Sequence, residues 1–428
     1  TAGGGIRAAF WTGLVLDCLF EAPLDAPDLC ARNAPREDES RSEAVIAASG
    51  VSGGSLGLVE YAAYLASRAN GRPPTTGTWP EDRLGEDYLG ATLAWGLFVE
   101  FPKTLLGTAN GLDRAAVMEC AWERSWASGA CPKGERDERE GPLSLGLEEL
   151  WERHPQVPLL LLNGTDVLHG CRFNASVLNA AATQPGGSCL SLHGFDPEGE
   201  DVEVFPATID LADLLCSGGR DVRLSTAALL SARFSFVSPS GRMEECRAEG
   251  DAAAEVPPVV SNVVDGGYLE TSGASTALEL WRGLAGDVTE YNRLSPDSCV
   301  VPFFVQIDNG YDVPEGPSGE ARLSEIGAPA AAFVTSARAH AVVARAASAL
   351  EFGRPLPDVE VLSGARTLTD RWVRLRPLAH PGPRAPLGWA LSETTMEDLR
   401  VQLATQNRAA VNRIRGWMTG DLRCEPRA

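Results

Sequence analysis

Two groups of residues are best placed to do chemistry: a serine among glycines, Gly50-Val51-Ser52-Gly53-Gly54, and an aspartate ahead of two more, Asp265-Gly266-Gly267. A serine hydroxyl becomes an acyl-transfer nucleophile when its chain turns sharply enough to expose Oγ and a neighbouring base accepts its proton. Small neighbours permit that turn. The short apolar run Ala44 to Ser49 precedes this serine, and a helical pattern from about Ser55 to Ala69 follows it. That is the strand–turn–helix setting a nucleophile elbow requires. Ser55 is the neighbouring alternative, with the weaker claim because it falls inside the helix. Asp265 follows a strand-like run, Val259 to Val264. A carboxylate there suits a general base, although Asp-Gly is also a favoured hairpin turn. A third group, Gly3-Gly4-Gly5-Ile6-Arg7, opens a helical pattern that runs to about Leu19. Glycine N–H groups at a helix start can approach an oxyanion closely, and the helix field favours negative charge there.

Alternating elements must carry these groups. Pro158 to Leu162 reads as a buried strand ending at Asn163-Gly164-Thr165, and Val300 to Ile307 and Trp372 to Leu375 as further strands. Ser275 to Leu284, Ala330 to Leu350 behind Pro329, and Thr395 to Met418 read as helices. Residues 21 to 43, 70 to 90 and 128 to 143 read as loops. Such alternation implies an α/β fold around a mostly parallel sheet. The aromatic stretch Leu93 to Leu106, with Trp95, Phe98 and Phe101, reads as core of an inserted helix. The alternative is an exposed apolar surface that meets a bilayer or covers an acyl pocket.

In order and spacing, the glycine loop, the elbow about 50 residues later and the distal Asp-Gly-Gly resemble the patatin-like phospholipase family. The resemblance covers roughly residues 1 to 285 and is weak beyond. It extends to Asn163-Gly164-Thr165-Asp166, to Leu224-Ser225-Thr226-Ala227-Ala228 and to Ser231-Ala232-Arg233-Phe234, which look like segments lining the acyl site. It implies a three-layer α/β/α core at 1–285, with a helical insertion at about 70–150 and a C-terminal part at 286–428 that completes or extends it. It implies lipid ester hydrolysis by a Ser–Asp dyad, without metal or cofactor. Ser52 would attack, Asp265 would accept its proton, and N–H groups among Gly3, Gly4, Gly5 and Gly53 would hold the oxyanion. Arg7 would support the loop. Ala8 stands where the family usually has glycine. The strand expected before the glycine loop has no residues ahead of Thr1 to form it, so the sequence reads as a piece of a longer chain. Two other readings compete: an α/β-hydrolase triad recruiting His340 or His380, and a non-catalytic lipid-binding or scaffolding domain.

The bulk properties limit the partners. Across 428 residues the formal charge is −21, with only two lysines, Lys103 and Lys133. This argues against nucleic acid and against a polybasic grip on anionic lipid, so peripheral membrane contact would be mainly apolar. No apolar run is long enough to cross a bilayer. Ten cysteines without a C-x-x-C pair argue against zinc. Cys18/Cys30, Cys120/Cys131 and Cys171/Cys189 are candidate bridges, with free buried thiols as the alternative. The sequons at Asn163 and Asn174 read as unused.

Overall fold

The computed structural model describes residues 1–24, 30, 40–69, 79–107, 113–126, 141–178, 189, 205–215, 221–234, 237–245, 260–295, 298–310, 327–364, 366–378, 390–420 and 422–426, with only the backbone of 327–334. Most of the expected loop residues at 21–43, 70–90 and 128–143 lie outside this set, as do Val259, His193 and His380.

The strands are β1 (Ala47–Val51), β2 (Leu159–Asp166), β3 (Cys171–Ala175), β4 (Thr208–Asp210), β5 (Gly241–Glu244), β6 (Val260–Asp265), β7 (Phe304–Ile307), β8 (Val359–Ser363), β9 (Arg366–Thr367), β10 (Trp372–Leu375) and β11 (Leu422–Pro426). The helices are α1 (Gly5–Leu16), α2 (Gly53–Ala69), α3 (Glu81–Leu84), α4 (Tyr88–Trp95), α5 (Phe101–Leu105), α6 (Arg114–Trp126), α7 (Leu147–Arg153), α8 (Leu211–Leu214), α9 (Leu224–Ser231), α10 (Ala274–Leu294), α11 (Gly327–Phe352), α12 (Glu393–Thr405) and α13 (Arg408–Thr419).

The fold is α/β. Six strands form the central sheet, in the order β4-β3-β2-β6-β5, with β1 also paired to β2. The sheet is mixed. β1–β2 and β3–β4 run parallel, while β2–β3, β2–β6 and β5–β6 run antiparallel. A tight turn at residues 167–170 joins β2 to β3, and so short a link forces an antiparallel pair. β2 is buried throughout, which explains its unbroken leucine run. Leu160 and Leu162 join the large core with α1, α2 and α9, whereas Leu159 and Leu161 pack with Phe205 and with Leu280 of α10. β7 and β10 form a separate parallel pair, and β11-β8-β9 a small antiparallel sheet. Leu399, Leu403, Val411 and Ile414 of α12 and α13 enter the same large core.

Two expectations change. The single helix expected over Thr395 to Met418 is split into α12 and α13. At the break, Asn407 turns inward: its Oδ1 accepts from Arg376 N at 3.0 Å and its Nδ2 donates to Arg376 O at 3.0 Å. The stretch Leu93 to Leu106 is helical, formed by α4, a π-turn at Gly96–Glu100 and α5, but it is not core. Tyr88, Leu89 and Thr92 face inward, while Leu93, Leu97, Phe98, Phe101, Leu105 and Leu106 are exposed.

Disulfides join Cys18–Cys30, Cys171–Cys189 and Cys299–Cys424, and Cys120 is also disulfide-bonded. The third bridge spans 125 residues, beyond the near neighbours that sequence suggests as partners. Asn163 and Asn174 are both buried. No helix among the described residues is long and apolar enough to cross a membrane.

Candidate active site

β2 brings the two motifs together. β1 runs parallel to its first half and ends with Val51 opposite Asn163. β6 runs antiparallel to its second half, with Asp265 opposite Gly164. β3 pairs with the other edge of β2 over both positions, so β1 and β6 meet end to end along one edge. Ser52, the residue after β1, therefore arrives beside the last residue of β6. The Ser52 hydroxyl donates to Asp265 Oδ2 at 2.5 Å.

Ser52 occupies the left-handed region, with φ 53°, a conformation that disfavours a side chain and lifts Oγ out of the turn. Its N–H donates to Ser231 Oγ at 3.0 Å, and Ser231 donates to Asn163 O at 2.6 Å. Ser55, the alternative nucleophile, is buried and hydrogen-bonded to Ser231 at 2.7 Å, so it braces the elbow from below. Gly53 must lack a side chain, because a Cβ there would lie 1.9 Å from Gly5 O.

Asp265 is buried and oriented on both sides. Gly267 N–H donates to Oδ1 at 2.7 Å, the Asp265 N–H donates to Arg233 O at 3.0 Å, and Thr165 Oγ1 donates to Asp265 O at 3.0 Å. Burial pushes its carboxyl up to about 6, with the hydrogen bonds from Ser52 and Gly267 acting in the opposite direction. Such a carboxylate is mostly ionised at neutral pH yet basic enough to take a proton from a hydroxyl under attack.

The glycine loop lies directly over this pair. Ala2 N–H donates to Ile307 O at 2.9 Å and the Thr1 amino group to Ser49 O at 2.5 Å, so the first residues bridge β7 and β1. Of the expected oxyanion donors, Gly3 is otherwise engaged: its N–H donates to Thr271 O at 2.9 Å. The N–H groups of Gly4, Gly5 and Gly53 have no hydrogen-bond partner among the described residues. Arg7, expected to support the loop, connects to it through Asn309. Arg7 Nε donates to Asn309 Oδ1 at 2.9 Å, and Asn309 Nδ2 donates to Gly3 O at 2.6 Å. Gly4, at φ 144°, leaves the room that Asn309 fills, since a Cβ there would lie 1.6 Å from its Nδ2. Asn309 is itself anchored through Asp308, whose Oδ1 accepts the Asn309 N–H and whose Oδ2 accepts from Arg374 Nε, both at 2.7 Å. Arg345 pairs with the same carboxylate.

A cavity of about 450 Å³ opens over Ser52 and Asp265. Its apolar lining comes from Ile6, Leu56, Leu89, Met118 and Trp122 of α1, α2, α4 and α6, and its polar lining includes Asp308, Asn309, Arg338 and Arg345. Ala232 and Phe234 also line it, whereas Leu224–Ala228 do not. No described histidine reaches it; His340 Nδ1 lies 3.1 Å from Leu269 O. Among the described residues no cluster of His, Cys, Asp or Glu could hold a metal ion. Asn309, Asp308 and Ser231 are the site residues that sequence reasoning missed in these roles. Asn309 joins residues 302 and 306 positions away, Ser231 reaches Ser52 across 179, and Asp308 acts through Asn309 beside it, so no local pattern marks them.

Comparison of the sequence with protein-family models and with curated proteins gives no match.

Proposed function

We propose that this chain is a serine-dependent carboxylic ester hydrolase acting on lipids, of the patatin-like type, with a three-layer α/β/α core. The observation that carries this reading is the 2.5 Å hydrogen bond from Ser52 to a buried Asp265 beneath a loop of unengaged glycine N–H groups. Ser52 Oγ attacks the ester carbonyl carbon while its proton passes to Asp265 Oδ2. The carbonyl oxygen becomes an oxyanion held by N–H groups of Gly4 and Gly5, with Gly53 adjoining. Collapse expels the alcohol, which leaves with the proton from Asp265. Water then adds to the acyl-serine, Asp265 takes its proton, and the carboxylic acid departs as Ser52 recovers its hydrogen. The apolar lining of the cavity suits an acyl chain.

The test is hydrolysis of a short-chain p-nitrophenyl ester by the wild-type chain and by Ser52→Ala, with fluorophosphonate labelling alongside. The expected result is turnover and labelling in the wild type and neither in the variant. Equal activity in both would remove Ser52 as nucleophile. An inert, unlabelled wild type would favour a binding domain that keeps the fold.

A further inference from the structure

The arm formed by α4, the π-turn and α5 presents an apolar stripe to solvent. Leu93, Leu97, Phe101 and Leu105 recur every four residues, flanked by Phe98 and Leu106, which are 78% and 76% exposed. Isolated surface leucines are ordinary, but a continuous helical row of this size is a contact surface. The arm is built to stay in place. Glu100 Oε2 accepts from the backbone N–H of Arg114 at 3.1 Å and from its Nε at 3.0 Å, tying the end of the π-turn to the start of α6.

Two features identify what it meets. The first is continuity with the catalytic cavity. At the root of the arm Tyr88 and Leu89 turn inward and line the cavity over Ser52, while Phe234 and Val342 line it and are exposed as well. The arm therefore springs from the cavity wall, and the cavity carries exposed apolar side chains of its own. The second is charge. Residues 88–107 hold one acid, Glu100, and one base, Lys103, in a chain of net charge −21. A neutral apolar arm on an acidic body matches an uncharged or zwitterionic surface and is repelled by an anionic one.

We infer that residues 93–106 are an interfacial docking arm that inserts into a zwitterionic lipid surface and sets the cavity mouth against it. The inference rests on the lipid ester hydrolase reading for the choice of partner. Docked this way, an acyl chain passes from the lipid phase along Leu89 toward Ser52 without crossing water.

The experiment is flotation of Ser52→Ala protein with phosphatidylcholine vesicles. We expect co-flotation, falling tenfold or more when Phe98→Ser, Leu105→Ser and Leu106→Ser are combined. The same three replacements on the active chain should leave hydrolysis of a dissolved p-nitrophenyl ester unchanged. Phe98→Trp should float as well as its parent, which keeps the test open if the triple variant misfolds. Protein that stays in the lipid-free fraction, or a triple variant that floats undiminished, overturns the inference. So does a dimer that these replacements split, since the face would then belong to a second copy. Flotation involves no turnover. An inactive protein that floats would sink the hydrolase reading alone, and an active esterase that does not float would sink the docking arm alone.

Discussion

Asp265 and Ser52 each carry a cost to the fold that their proposed chemistry explains. Burial raises the Asp265 carboxyl from its ordinary 3.8 to about 6. The folded chain thus holds this proton more tightly than the unfolded chain, so the contribution of Asp265 favours folding below about pH 4 and is lost as pH rises through about 6. The expected kinetic signature is an acid limb in kcat/KM near pH 6, because the protonated carboxyl cannot accept from Ser52. Asp265→Asn should slow turnover by about 10²- to 10⁴-fold with no loss of thermal stability at pH 8. An asparagine can keep the Gly267 bond through Oδ1 and meet Ser52 through Nδ2, without the buried charge. A nearly unimpaired Asp265→Asn enzyme would remove Asp265 as the base. The strain at Ser52 has its own test. Glycine accepts φ 53° without the clash a Cβ brings, so Ser52→Gly should exceed Ser52→Ala in unfolding free energy by about 1 kcal/mol. Equal stabilities in urea titration would mean that the elbow stores no such strain.

At the scale of elements, the site is a meeting of two strand ends and a helix start, and its parts differ in how far they could be read from sequence. The turn after β1 and the Asp-Gly-Gly after β6 are local: a short apolar run and small residues are enough to reveal them. That both ends meet on one edge of β2 depends on register, with Val51 opposite Asn163 and Asp265 opposite Gly164. Periodicity does not encode register between strands far apart in the chain. Asn309 is harder still, lying 302 residues from the Arg7 it holds. The exposed arm misled for the opposite reason: its apolar residues look alike in a core and on a contact surface, and only the packing separates the two. Asn309 also carries the clearest expectation at this scale. It clamps Gly3 O and receives Arg7, so Asn309→Ala should loosen the glycine loop while leaving Ser52 and Asp265 in place. We expect kcat to fall about tenfold or more, as for a weakened oxyanion contact, with fluorophosphonate still modifying Ser52. Unchanged kcat would mean that the loop holds its shape without the clamp.

For the whole molecule, the question is what keeps the C-terminal elements on the core that carries Ser52 and Asp265. α12 and α13 are held by burial, since Leu399, Leu403, Val411 and Ile414 share the core of α1 and α2, and Arg415 Nη2 donates to Cys18 O at 2.7 Å. β11 has less to hold it. Among the described residues it pairs with β8 alone, over a small cluster of buried Leu356, Val359 and Val361, and none of these lines the cavity. There the Cys299–Cys424 bridge ties β11 to the segment just before β7, closing a span of 125 residues. A cross-link over so long a span removes much of the freedom of the unfolded chain, and such bridges contribute about 2–4 kcal/mol. Replacing both cysteines by serine should therefore lower stability in urea by that order. Ester hydrolysis at room temperature should persist, because Ser52, Asp265 and the glycine loop are held by β1, β2, β6 and the end of β7, none of which pairs with β11. A reducing buffer should bring the wild type toward the same midpoint, more so because Cys18–Cys30 and Cys171–Cys189 would open with it. If the serine pair unfolds at the wild-type midpoint, burial of α12 and α13 alone holds the C-terminal part, and β11 is a passenger on β8.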